Sequence, residues 1–162
     1  MIVVVIVTAG NSRGAGMGNV AAPARPVQTA TSAVDHDCSM LTKQDAAIAL
    51  GETVTGPKIE RSPNRNGVIG SVCVYEGSRR HRVLLMVARL PANDAARIQG
   101  VCAQQAQEGL SGLGDVACWY NEGHDELWVF KGTTFLSFHL FKDGDPTDAI
   151  KGLAQKVFDQ LR

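Results

Sequence analysis

The sequence has no surplus of positive charge and no apolar run long enough to cross a membrane. Its 16 lysines and arginines balance 16 aspartates and glutamates, which leaves a formal net charge of zero. Proteins that bind nucleic acids or anionic membranes depend on an excess of Lys and Arg, so the composition argues against both partners. The aliphatic run Ile2–Val7 falls far short of the roughly twenty residues that a transmembrane helix needs.

The sequence also lacks the motifs of common catalytic and metal sites. It contains no Cys-x-x-Cys and no Gly-x-Ser-x-Gly, and its successive cysteines lie 35, 29 and 16 residues apart, which matches no zinc finger or ribbon. The glycine-rich segment 109–115 leads from a predicted helix into a predicted strand, the reverse of the order in phosphate-binding loops. It predicts instead a turn that needs positive φ. We therefore expect no metal and no cofactor, and the sequence favours a non-enzymatic protein over an enzyme.

The N-terminal residues are typical of an exported protein. Residues 1–10 resemble a signal peptide, because an aliphatic run is followed by small residues that a signal peptidase accepts. The basic residues that usually precede such a run are missing, so either the true start lies upstream or the run is a buried strand. Residues 11–36 are rich in Gly, Ala, Pro, Ser and Thr, and this composition of a flexible linker favours the first alternative. A single domain is predicted over 37–162 of a periplasmic or secreted protein.

Four cysteines, Cys38, Cys73, Cys102 and Cys118, follow the predicted linker. In an oxidising compartment four cysteines usually form two disulfides, and three pairings are possible. Segments 72–77 and 117–123 echo each other around a cysteine, and each precedes further strand-like residues and a helix that opens on proline. If the two halves are copies from an internal duplication, each strand cysteine pairs with the cysteine of the preceding helical segment. This predicts Cys38 with Cys73 and Cys102 with Cys118.

Three helices are predicted from their caps and periodicity. Thr42 and Asp45 form a variant of the capping box, and Gly51 ends the first helix. The second is predicted over 93–107. The third opens at Asp145 and Pro146, and its apolar residues follow a 3.6-residue stripe: Ile150, Leu153, Ala154, Val157 and Leu161.

Strand-like segments separate these helices. They lie at 72–75, 82–90, 116–120, 127–131 and 134–142, with a loose strand near 52–55 before a long loop. Segment 82–90 is apolar on both faces, which predicts a central, covered strand. Turns of hairpin length join the strands, as at 77–80. The predicted fold is α+β: an antiparallel sheet of about five strands with about three helices packed on it.

A resemblance to a known group of proteins rests on three segments. These are 38–51 (Cys-Ser-Met-Leu-Thr-Lys-Gln-Asp-Ala leading to Ala-Leu-Gly), Cys73-Val74-Tyr75, and Gly112-Leu113-Gly114-Asp115-Val116-Ala117 before Trp119. Over residues 37–162 the chain resembles small exported bacterial domains of unknown function. Among these are actinobacterial lipoprotein domains with a PsbP-like α/β/α sandwich. The resemblance implies a compartment and a fold but no reaction, and a lipid-attachment cysteine is missing.

The charges are unevenly distributed along the chain. The segment from Lys58 to Arg89 contains seven basic residues and two glutamates. The segment 115–148 contains seven acidic residues and two lysines. Two solvated faces of opposite sign would explain this distribution. Alternatively, Arg79, Arg80 and Arg82 form a patch that binds an anionic partner.

One group of residues could line a ligand site on the sheet. It consists of His139, Ser137, Phe135, Trp128 and Trp119. Aromatic residues on strands usually belong to the core or to cross-strand pairs, so a structural role is the competing interpretation. Two functions follow: a non-enzymatic exported module that binds an envelope or extracellular protein, which we prefer, or a small-ligand-binding protein or hydrolase with a pocket around His139.

Overall fold

The computed structural model describes residues 38–61, 70–105 and 110–161, so the predicted signal-like segment and linker lie outside the described residues. A 3-10 turn at Cys38–Met40 precedes three helices, α1 Lys43–Leu50, α2 Ala92–Gln104 and α3 Thr147–Asp159. The strands are β1 Thr55–Arg61, β2 Gly70–Glu76, β3 Arg82–Arg89, β4 Val116–Trp119, β5 Glu126–Lys131 and β6 Thr134–Phe141. The predicted α+β class is confirmed, with six strands where about five were expected.

The sheet has the strand order β1-β2-β3-β6-β5-β4 and every neighbouring pair is antiparallel. Two three-stranded meanders therefore meet along β3 and β6, which register Arg82 against Phe141 and Arg89 against Thr134. Helices α1 and α3 contact each other and pack on one face of the sheet. Helix α2 packs on the opposite face, against β4. Amphipathic elements bury their apolar stripes in this way because removal of apolar surface from water drives folding.

The side chains of β3 are buried to different extents on the two faces of the sheet. Val83, Leu85 and Val87 point into the large core beneath α1 and α3 and are almost completely buried. On the other face, Ala88 is buried in the small cluster under α2, whereas Leu84 and Met86 are only half-buried. Strand β3 is central, as predicted, but the described helices cover its second face only at one end.

The additional strand, β1, occupies a segment where the sequence predicts mostly loop. It pairs with β2, and the register shifts between Thr55 and Lys58, around Gly56-Pro57. Proline cannot donate a backbone hydrogen bond, so within a sheet it is tolerated at an edge or a bulge, and β1 supplies both. Local sequence preference did not reveal this strand because its pairing with β2 is a tertiary contact.

The first and third helices are joined through a capping residue. Thr42 and Asp45 form the predicted capping box at the start of α1, and Gly51 ends the helix with φ 72°. Asp45 also accepts a hydrogen bond from Lys156 of α3. At the start of α3, the N-cap residue is Pro146, which makes no side-chain capping bond, so the predicted cap at Asp145 is displaced by one residue. The side chain of Asp145 still accepts a hydrogen bond of 2.9 Å from the backbone N–H of Thr147.

Two disulfides connect helical segments to the sheet. Cys38 is bonded to Cys73 on the face that carries α1, and Cys102 of α2 is bonded to Cys118 of β4 on the other face. These are the predicted pairs. The strands that carry them are not equivalent, however, since Cys73 lies on the middle strand of its meander and Cys118 on the edge strand of the other. The sequence echo therefore does not extend to matching strand positions.

Tyr75 reinforces the first disulfide from inside the core. Its hydroxyl donates to the backbone carbonyl of Leu41 and lies 3.4 Å from that of Cys38. The side chain is fully buried, and a buried hydroxyl is costly unless it is hydrogen-bonded.

The described helices include none with the length and apolar character required to cross a bilayer.

Candidate functional site

The part of the sheet that α2 leaves uncovered carries a mixed apolar and polar surface, which we call the open face. Its residues are Arg82, Leu84, Met86, Tyr120, Glu126, Trp128, Ser137, His139 and Phe141. They share a face because side chains alternate along each strand and align across antiparallel partners. Helices α1 and α3 lie on the other side of the sheet. The open face is therefore a described sheet surface with no described helix over it.

Glu126 lies at the centre of the polar part of the open face. It is registered directly opposite His139, and one carboxylate oxygen, Oε1, lies 2.8 Å from Nε2 of that histidine. The same oxygen accepts hydrogen bonds from Trp128 Nε1 at 2.6 Å and from Ser137 Oγ at 3.0 Å. Three donors from two strands thus converge on a single carboxylate oxygen. Among the described residues, the other oxygen, Oε2, has no hydrogen-bond donor.

These donors keep the carboxylate ionised. Burial alone would raise the pKa of Glu126, but the hydrogen bonds from His139, Trp128 and Ser137, together with the charge of His139, outweigh it and lower the pKa. The side chain of Glu126 is 12% exposed and that of His139 is 31% exposed. A negative charge therefore lies just below the surface, partly covered by a more accessible histidine.

Aromatic side chains surround this polar centre. Tyr120 stacks on Trp128 with ring centroids 4.4 Å apart, and Phe135 meets Trp128 edge-on at 5.4 Å. His139 stacks on Phe141 at 5.8 Å. Phe135 is buried at the margin of α2, whereas 54% of Tyr120 is exposed. The accessible aromatic surface is thus centred on Tyr120 and Trp128.

The structure brings together four of the five residues that the sequence suggested for a sheet-face site. Trp119 does not join them, because adjacent strand residues point to opposite faces and this side chain enters the core under α3. There its ring stacks on His124 at 4.6 Å. Tyr120, the next residue, occupies the open face in its place.

Sequence reasoning missed the central carboxylate. His124, Asp125 and Glu126 read together as a polar hairpin turn, yet Glu126 is the first residue of β5. The sequence did contain a signal for its position on the sheet, because side chains alternate along β5 and Glu126 therefore shares a face with Trp128 and Phe130. A carboxylate among apolar residues on one strand face is either exposed to solvent or hydrogen-bonded to neighbouring side chains. Its cross-strand donors, Ser137 and His139, lie on β6.

The hydrogen-bond order is not that of a hydrolytic triad. In a triad the histidine lies between the carboxylate and the serine, so that it can take the serine proton. Here the carboxylate is the shared acceptor, and both Ser137 and His139 donate to it. The arrangement orders the side chains on the sheet without activating a nucleophile. Within the described residues, no group of three metal-ligating side chains includes Glu126 and His139.

The three arginines predicted to bind an anionic partner lie at one end of the sheet. Arg79 and Arg80 form the turn between β2 and β3, and Arg82 begins β3. The guanidinium carbon of Arg82 lies 5.1 Å from the ring centroid of Phe141, so this arginine belongs to the open face as well. The turn and the open face are thus connected through Arg82.

Searches with protein-family models, curated proteins and solved structures found no match to this chain. The similarity to actinobacterial lipoprotein domains therefore stays a prediction.

Proposed function

We propose that this chain is an exported, disulfide-stabilised binding module that uses its open face to bind a protein in the cell envelope or outside the cell. The observation that carries the proposal is the shared carboxylate. Glu126 engages Ser137, His139 and Trp128 in a way that organises a surface and does not prepare a catalytic group.

The residue types around Glu126 support a protein partner. Tyr, Trp and Arg are enriched among the residues that dominate protein–protein binding energy, and the open face presents Tyr120, Trp128 and Arg82. Half-buried Leu84 and Met86 add apolar surface that a partner would remove from water. The hydrogen bonds that Oε1 of Glu126 already accepts reduce the cost of covering this polar centre, and a partner's N–H group could bind Oε2.

Export is supported by the cysteines. All four are paired, and disulfides persist in oxidising compartments. Non-reducing peptide mapping of protein isolated from its native host tests this part of the proposal. We expect one peptide pair to contain Cys38 with Cys73, another to contain Cys102 with Cys118, and the mature N-terminus to follow residue 9 or lie nearby. Free thiols in the native protein would contradict export.

Site-specific crosslinking tests the binding surface. A photoreactive phenylalanine analogue would replace Tyr120, and a matched control would carry it at Ile48, which is 72% exposed on α1 across the sheet. In the native host we expect a discrete protein adduct from position 120 and none from position 48. The adduct should disappear when Trp128→Ala is added. Equal labelling at both positions, or no adduct at 120, would contradict the proposed surface.

A small ligand is the second candidate, favoured by one observation. Oε2 of Glu126 has no described donor, and the same carboxylate binds the indole N–H of Trp128, which stacks on Tyr120. This combination suits a ligand with an apolar ring and an N–H group. Native mass spectrometry of the protein from its host distinguishes the two candidates, because a retained small molecule would add a defined mass that Glu126→Gln removes.

A further inference from the structure

The turn between β2 and β3 holds two arginines in an unfavourable backbone conformation. Its ends are joined by hydrogen bonds from His81 N–H to the Ser78 carbonyl at 2.8 Å and from Gly77 N–H to the His81 carbonyl at 2.9 Å. Between them, φ is 52° at Arg79 and 68° at Arg80. The four-residue turn 78–81 therefore has positive φ at both central positions, as in a type I′ turn, where Asn and Gly are favoured. Because Glu76 lies opposite Arg82, residues 77–81 form the loop between the paired strand ends. An ordinary side chain costs roughly 1–2 kcal/mol at each such position.

A side-chain network braces the base of this turn. Glu52, in the loop after α1, accepts hydrogen bonds from Ser78 Oγ and from His81, whose Nδ1 lies 2.7 Å from Oε1. The hydrogen bond from Ser78, assisted by that from His81, lowers the pKa of Glu52, so the brace keeps its charge. His81 Nε2 faces Asp143 at 3.4 Å from the opposite side. The turn is therefore held in one orientation although its tip is exposed.

The carboxylates near the turn already have described partners, whereas no described carboxylate pairs with its arginines. Glu52 and Asp143 face His81, and Glu76 is 2.6 Å from Lys58. No described carboxylate lies within ion-pair distance of Arg79, Arg80 or Arg82. Three guanidinium groups are thus available on a rigid support in a protein whose net charge is zero.

We propose that this arginine tip, consisting of Arg79, Arg80 and Arg82, binds an acidic segment of the protein that occupies the open face. Guanidinium groups form paired hydrogen bonds with carboxylates, and a rigid turn reduces the ordering cost of binding. Arg82 belongs to both surfaces, so one partner can contact them together. The zero net charge gives no general attraction to anionic membranes, which favours local recognition of carboxylates over a lipid surface. This inference rests on the proposed function and specifies the partner's chemistry.

Replacing the turn residues tests the inference with a variant that should fold better than the wild type. Arg79→Asn combined with Arg80→Gly suits a type I′ turn, so we expect the thermal midpoint to rise by several degrees. Affinity for a fluorescent oligoglutamate peptide at low salt should fall by about tenfold, and added salt should weaken wild-type binding. Unchanged affinity in the double variant, or no peptide binding by the wild type, would overturn the inference.

A charge-matched control separates the tip from general electrostatics. Arg97→Gln with Lys43→Gln removes the same charge from exposed positions on α2 and α1 and should change peptide affinity less than about twofold. An equal loss in this control would also overturn the inference. Trp128→Ala should keep oligoglutamate binding while abolishing the crosslink from position 120. If wild-type protein forms the crosslink from position 120 but does not bind oligoglutamate, the inference about the arginine tip is wrong and the proposed binding by the open face is kept.

Discussion

Lys156 of α3 forms an ion pair with Asp45, the buried residue of the capping box that begins α1. The carboxylate is 5% exposed and also accepts hydrogen bonds from the backbone and hydroxyl of Thr42. A single side chain therefore starts one helix and holds the other against it. The two helices that cover the main core are linked through this residue.

Removing Lys156 should loosen this link. Lys156→Met leaves the buried charge of Asp45 without its ion partner, and we expect a loss of about 1–2 kcal/mol, kept modest because the lysine is 54% exposed. Urea unfolding at neutral pH measures the change. Lys43→Met, a matched substitution at an exposed lysine of α1, should cost less than about 0.5 kcal/mol. Equal losses in the two variants would show that the pair contributes nothing specific.

Glu126 should make stability depend on pH in the acid range. Its folded pKa lies below its ordinary value of 4.5, so in acid the unfolded chain binds more protons than the folded protein. The stabilisation is present above about pH 4.5 and is lost as the pH falls through the folded value. Glu126→Gln should cost about 1–3 kcal/mol at pH 7, and its difference from the wild type should shrink in acid. A difference that is constant with pH, or one shared by exposed Glu122→Gln, would contradict this account.

The two disulfides should stabilise the domain unequally. They join residues separated by 35 and 16 positions, and a longer loop restricts the unfolded chain more. Replacing Cys38 and Cys73 by serine should cost about 4 kcal/mol, and replacing Cys102 and Cys118 should cost about 3 kcal/mol. Chemical unfolding of both double variants under non-reducing conditions provides the comparison. The reverse order would mean that native-state packing, and not loop length, determines the contribution.

Two glycines before β4 should respond very differently to alanine. Gly112 and Gly114 both have positive φ, at 88° and 66°. A Cβ at Gly112 meets open space, whereas one at Gly114 would overlap the backbone carbonyl of Phe130 on β5. We expect Gly112→Ala to cost about 1 kcal/mol and Gly114→Ala about 3 kcal/mol or more. The difference between the thermal midpoints of the two variants measures the cost of the clash with Phe130. Similar midpoints would show that β5 shifts enough to accommodate the added Cβ.

Much of the local structure was predictable because short-range chemistry decides it. Thr42 and Asp45 start α1, Gly51 ends it, and the glycines at 112 and 114 adopt the positive φ that a turn there requires. The apolar stripe of α3 predicted the face that it buries. Each of these features depends on residues within a few positions of one another.

The candidate site was predictable only in part because its residues meet through strand register. His139 and Ser137 were identified on one strand face, but their common acceptor, Glu126, lies on another strand and read as part of a turn. Trp119 was predicted for the site but faces the core, and Tyr120 lies on the open face, because the sequence did not reveal which of the two adjacent residues would be buried. A shift of one residue in register reverses the face of every side chain on a strand.

Local sequence chemistry was thus enough to predict three helices, both caps of α1, five of the six strands, the α+β class and the two disulfide pairs. Only the packing of the whole domain places β1 at the sheet edge, brings three donors to Glu126 and leaves three arginines with no carboxylate partner among the described residues. The physical reason is the range of the interactions. Caps and turns are satisfied within a few residues, whereas the sheet brings together groups whose pairing depends on the packing of the whole domain.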